Sequence, residues 1–126
     1  WMPNAYESSG TPATITTGNN AKGSYVTFVT TTRRWRWMQV LVSEPANDLT
    51  VYWDIDIATG ATPRIIVPDI FWRPAMDPTA IAADVSSQYI FNGPVDIPAG
   101  LAVKARHMVA TKNAYTIKLQ IIGGFR

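Results

Sequence analysis

The feature that most constrains this chain is a two-residue alternation of apolar and polar side chains, repeated in short runs and never replaced by a helical stripe of any length. Side chains of a strand point alternately to its two faces, so such runs predict strands buried on one side. The cleanest covers 49–57. Leu49, Val51, Trp53, Ile55 and Ile57 fall on one face, and Thr50, Tyr52, Asp54 and Asp56 on the other. Leu101, Val103, Ala105, His107 and Val109 form a second apolar row, and Tyr115, Ile117, Leu119 and Ile121 a third. Segments 24–32, 35–43, 64–67, 88–91 and 95–97 add runs that suit a pleated surface. Turn chemistry separates them at 44–48, 58–63, Asn92-Gly93-Pro94 and Pro98-Ala99-Gly100, with Thr111-Lys112-Asn113 read as a hairpin tip. Pro68 restricts its run to an edge or an end. Asp77-Pro78 opens one or two helical turns at 78–83. About eight strands at this spacing predict an all-β fold, an antiparallel two-sheet β-sandwich of jelly-roll type. An immunoglobulin-like sandwich is the alternative.

A chain of 126 residues suits one domain and buries enough surface to need no covalent staple. Residues 1–23, rich in Thr, Ser, Gly and Asn, read as an extended N-terminal arm with a weak strand near 13–17. Such an arm is expected to lie over a neighbour. The absence of cysteine excludes disulfides, Cys-based zinc sites and thiol nucleophiles. A single histidine excludes a multi-His metal site within one chain. Neither metal nor cofactor is expected. No run of about 18 apolar residues is present, so no membrane-spanning helix is expected. The start, Trp1-Met2-Pro3-Asn4, is not a signal peptide, and without an initiator Met it reads as processed or trimmed. A net charge of +2 is too small to argue for nucleic acid. With only 16 % charged residues, the chain has little to cover a lone domain, so copies of itself are expected as partners.

Four constellations carry candidate chemistry. In Arg33-Arg34-Trp35-Arg36-Trp37-Met38, Trp35 and Trp37 share one strand face while Arg34, Arg36 and Met38 share the other. The plain expectation puts the tryptophans in the core and the arginines in solvent. A subunit interface is the alternative, because Trp and Arg anchor protein contacts; a cation–aromatic platform for nucleic acid or membrane ranks last. Asp54 and Asp56, at i and i+2, suit a solvated face with salt bridges to Lys104, Arg106 or Lys118. The same pair suits a hydrolase, or a calcium site completed by Asp48 and Asp96. His107 is expected as a core or interface histidine, with no Gly-x-Ser-x-Gly elbow to make it catalytic. Phe71-Trp72-Arg73 is expected at an interface, with core packing and sugar stacking by Trp72 as alternatives. A glycan site would combine Trp72, Tyr52 and Tyr89 with Asp54 or Asn92. Gly123-Gly124-Phe125-Arg126 reads as a flexible tail.

The stretch Val95-Asp96-Ile97-Pro98-Ala99-Gly100-Leu101-Ala102-Val103-Lys104-Ala105-Arg106-His107-Met108 resembles small β-sandwich structural proteins of tailed phages and phage-like particles. Asp54-Ile55-Asp56-Ile57-Ala58-Thr59-Gly60-Ala61 is similar to their mid-domain strand and turn. The resemblance implies a non-enzymatic virion protein: a capsid-decorating, head-spike or fibre module, often trimeric, placed on the particle surface. Its implied partners are copies of itself, capsid proteins and host surface polysaccharide. No catalytic residue is implied, and the N-terminal arm and the Arg33–Trp37 run lie outside the shared pattern.

Overall fold

The structure, a computed structural model, describes residues 6–8, 13–16, 21–45, 52–72, 88–109 and 116–125. These residues form nine strands: β1 Tyr6–Ser8, β2 Ala13–Thr16, β3 Val26–Thr30, β4 Trp35–Pro45, β5 Trp53–Thr59, β6 Arg64–Trp72, β7 Gln88–Ile97, β8 Ala102–Val109 and β9 Thr116–Gly124. The helical turns expected at 78–83 lie outside the described residues.

One sheet has the order β1-β9-β4-β7, with β2 also beside β9; the other has the order β3-β8-β5-β6. Every pairing is antiparallel. A single rule governs the order. β5 pairs β6, β4 pairs β7, β3 pairs β8 and β2 pairs β9. Each strand meets the one equally far from the β5–β6 turn along the chain. The chain is one long hairpin rolled up, with β4–β9 and β5–β8 joining its ribbons. That is jelly-roll wiring, the expected sandwich type, and not the strand order of an immunoglobulin sandwich.

Between the sheets lie the inward rows. Trp35, Met38, Val40, Trp53, Ile55, Ile57, Val103, Ala105, Leu119 and Ile121 are fully buried. Each large apolar side chain buried in this way contributes about 1.5–3 kcal/mol. His107 continues the β8 row into the core and stacks on Trp53, with ring centroids 5.1 Å apart.

Several expectations are corrected. Asn92-Gly93-Pro94 does not turn the chain but runs inside β7. β7 is an edge strand, where proline is tolerated, and a Cβ on Gly93 would sit 3.1 Å from the Phe91 ring. β8 and β9 are not a hairpin, because they belong to opposite sheets. Gly123 and Gly124 are not a flexible tail: they pair with Met38 and Trp37 of β4 and with Glu7 and Tyr6 of β1. A Cβ built on Gly123 would fall inside the Trp35 indole, so the core tryptophan packs flat against that backbone. The described parts of the N-terminal arm lie against their own sheet, with β1 and β2 on β9.

Candidate functional site

The densest group of charges lies on the outer side of the β3-β8-β5-β6 sheet. Alternation places Asp54 and Asp56 on the β5 face opposite Trp53, Ile55 and Ile57. The expected solvated face is nevertheless buried, at 7 % exposure for Asp54 and 2 % for Asp56. The cover comes from the segment before β3. Gly23 donates its amide to the His107 carbonyl at 2.9 Å, which holds that segment along β8. Lys22 then reaches Asp54 Oδ1 at 2.5 Å, Asp56 Oδ1 at 3.0 Å and Asp69 Oδ1 at 3.3 Å.

Asp69 arrives through a bulge. Between the Ile55–Ile70 and Ile57–Val67 pairs, β6 carries one residue more than β5, and Asp69 there adopts φ 50°. The bulge turns the Asp69 amide onto Asp56 Oδ1 at 3.0 Å. Arg106 closes the group at 2.9 Å from Asp56 Oδ2, and its guanidinium stacks over Tyr25. Of the expected salt-bridge partners, Arg106 is engaged. Lys104 instead donates to the Ala61 carbonyl, and Lys118 lies on β9 of the other sheet.

Burial alone would raise the Asp56 carboxyl. The Asp69 amide, the Lys22 ammonium and the Arg106 guanidinium outweigh it and hold the group below the usual carboxylate range. Burial alone would lower Lys22, but its bonds to Asp54 and Asp56 raise it above the ordinary lysine value. The arrangement holds Asp56 as an anion with both oxygens engaged. That is a poor starting point for a general acid. The three carboxylates approach within 4.8 Å, and the cation placed among them is the lysine ammonium. Asp96, a proposed fourth calcium ligand, instead binds Arg34 and Arg36; Asp48 lies outside the described residues.

The Arg33–Met38 run is split in an unexpected way. Trp35 and Met38 are both fully buried, with Trp37 half-buried between them. The β4–β7 register slips between Trp35 and Trp37, and the inward parity of β4 changes there. Trp35 is core, as expected; Trp37 moves outward and Met38 inward, against expectation. Trp37 donates its indole N–H to Asn92 Oδ1 at 2.6 Å. Arg34 and Arg36 share Asp96, and Arg33 lies over the Phe125 ring.

Sequence reading missed the setting of these arginines. The turns at 31–34 and 98–101 are tied by Thr31 N–H to the Leu101 carbonyl at 3.0 Å and by Gly100 N–H to the Thr31 carbonyl at 2.7 Å. Gly60 donates to the Ala102 carbonyl at 2.9 Å, bringing the β5–β6 turn to the same end. Arg64 and Lys104, far away in sequence, therefore join Arg33, Arg34 and Arg36 there.

Trp72 is buried in the core at 8 % exposure, which corrects its expected interface position; Phe71 beside it is 68 % exposed. Arg73 lies outside the described residues. The expected glycan set is dispersed. Tyr52 and Tyr89 are exposed, but Tyr52, Asp54 and Trp72 belong to one side of the sandwich and Tyr89 and Asn92 to the other sheet. Among the described residues, a cleft lies between the β6 and β7 edges. It measures about 300 Å³ and is lined by Ile66, Val67, Phe91 and Val95, with Ile97 at its base.

No family model and no curated protein matches the chain. Among solved structures, it is similar to the structure of infectious bursal disease virus Gx strain, at 8 % identity and TM-score 0.41 over 96 % of this chain and 32 % of that one. It is similar to a pentameric capsid protein isolated from metagenomic phage sequences, at 21 % identity and TM-score 0.35 over 88 % and 61 %. It is also similar to the VP2 subviral particle of infectious bursal disease virus, at 10 % identity and TM-score 0.38 over 98 % and 34 %. The chain thus spans about a third of the bursal disease virus chains and under two thirds of the phage protein. Likenesses this distant carry no argument about function.

Proposed function

We propose that the chain is a non-enzymatic structural protein of a virion. In this reading it is a jelly-roll module on the outside of a phage or phage-like particle, serving as decoration, head-spike or fibre. Its partners are copies of itself, as a homo-trimer or another homo-oligomer, and other capsid proteins. The observation that carries the reading is the open β6–β7 edge. Among the described residues an apolar cleft is left uncovered there, with the exposed Ile65 and Phe71 on the same edge strand. Uncovered apolar surface at a sheet edge marks a contact site. Pro68 and Pro94 in the two edge strands block addition of a further strand, so the contact is made through side chains. Arg33, Arg34 and Arg36, exposed at the end of the sandwich, suit the rim of such a contact.

The resemblance of 95–108 to phage β-sandwich proteins supports the same reading, since that stretch spans the end of β7, the turn and β8. Size-exclusion chromatography with multi-angle light scattering tests it. A discrete oligomer is expected at micromolar concentration. A monomer that persists at high micromolar concentration overturns the reading.

A further inference from the structure

The outer face of the β1-β9-β4-β7 sheet differs from the rest of the described surface in its chemistry. Tyr6 and Trp37 both pair with Gly124, one from each side, and so flank it across the β1-β9-β4 ribbon. Strand spacing puts their backbones roughly 10 Å apart. The next outward row runs Ser8, Ile122, Gln39 and Asn92, and the row after it sets Leu41 between Gln120 and Tyr89. No described side chain in these three rows is charged. Charge begins only at their limits, with Arg36 and Asp96 at one end and Lys118 at the other.

We propose that this face binds an uncharged polysaccharide. Pyranose rings present C–H groups that stack on aromatic faces, and Trp37, Tyr6 and Tyr89 supply three such faces. Tyr6 and Tyr89 are 64 % and 61 % exposed, and Trp37 is half-buried. Amide side chains both donate and accept, which matches sugar hydroxyls, and Gln39, Asn92 and Gln120 supply three amides. The bond from Trp37 Nε1 to Asn92 Oδ1 fixes the indole against the sheet before any ligand arrives. An anionic polymer would need Lys or Arg within the rows, and none stands there. The inference goes beyond the virion reading and does not rest on it, because the assembly cleft lies between the β6 and β7 edges, lined by Ile66, Val67, Phe91 and Val95, whereas the binding rows lie on the outer face of the β1-β9-β4-β7 sheet.

The test is affinity electrophoresis of the full chain through gels cast with a β-glucan, a mannan or a galactan, with alginate as the charged control. Retardation by at least one neutral polymer is expected. Trp37→Ala weakens it about tenfold, the size of a single anchor contact. Trp37→Phe restores part of it, and Tyr52→Ala, just before β5 of the other sheet, leaves it unchanged. Should Trp37→Ala fail to fold, Gln39→Lys places a charge in the rows and gives the same loss. Migration unaffected by every neutral polymer overturns the proposal, as does retardation by alginate alone. A Trp37→Ala variant that changes oligomeric state while no polymer retards the parent also overturns it, and assigns the face to a second copy. Light scattering on Phe71→Gln reports on the assembly reading separately.

Discussion

Glu7 lies on a strand of three residues, yet its carboxylate accepts the Trp35 indole N–H at 2.6 Å, the Thr32 amide at 2.8 Å and the Thr32 hydroxyl. Burial would raise this carboxyl, but those donors together with nearby Arg33 hold it below the usual glutamate range. Glu7→Ala leaves the indole nitrogen of a fully buried tryptophan without its acceptor. A loss of about 1–3 kcal/mol in urea unfolding is expected, with partial recovery in Glu7→Gln. Gly123 is the second residue of this kind. Gly123→Ala drives a methyl into the Trp35 ring, and about 3 kcal/mol or more of destabilisation follows, read as a fall in the urea midpoint. Neither role is legible in the sequence. Glu7 reads as one polar residue of a polar arm and Gly123 as half of a Gly-Gly end; both take their meaning from Trp35, which is distant along the chain.

At the scale of elements, the Lys22 group joins the segment before β3 to β5, β6 and β8. Asp56 is lowered, so its contribution is complete above the ordinary carboxylate pKa of about 3.9 and disappears as pH falls through its lower folded value. Lys22 is raised, so its contribution is complete below about 10.4 and is lost as pH rises through its higher folded value. Urea midpoints measured against pH are expected to form a plateau between those limits. Lys22→Met lowers that plateau by about 2–3 kcal/mol, less than for a fully enclosed pair because Lys22 keeps some solvent contact. Part of the group was readable: the i, i+2 spacing put both carboxylates on one face, and Arg106 was among the named partners. Lys22 was not, since nothing in a polar arm marks the residue that folds back onto a sheet. The Asp69 bulge was hinted at only by Pro68.

At the scale of the molecule, the proposed assembly runs through the β6–β7 edge. Phe71→Gln removes an exposed ring from β6 without placing a second carboxylate opposite Asp54, its cross-strand partner, and leaves the core rows untouched. It is expected to shift the oligomer toward monomer in light scattering, with the unfolding free energy in urea within about 0.5 kcal/mol of the parent, as for surface changes generally. The sequence by itself determined the strands, their inward rows and the two-sheet class, because a period of two is a local property that each run carries alone. The rolled pairing around the β5–β6 turn, the opposite placement of β8 and β9, the parity change after Trp35 and the burial of Asp54 and Asp56 belong to the tertiary structure. These depend on which distant segment lies alongside, and the local pattern of a strand does not encode its neighbour.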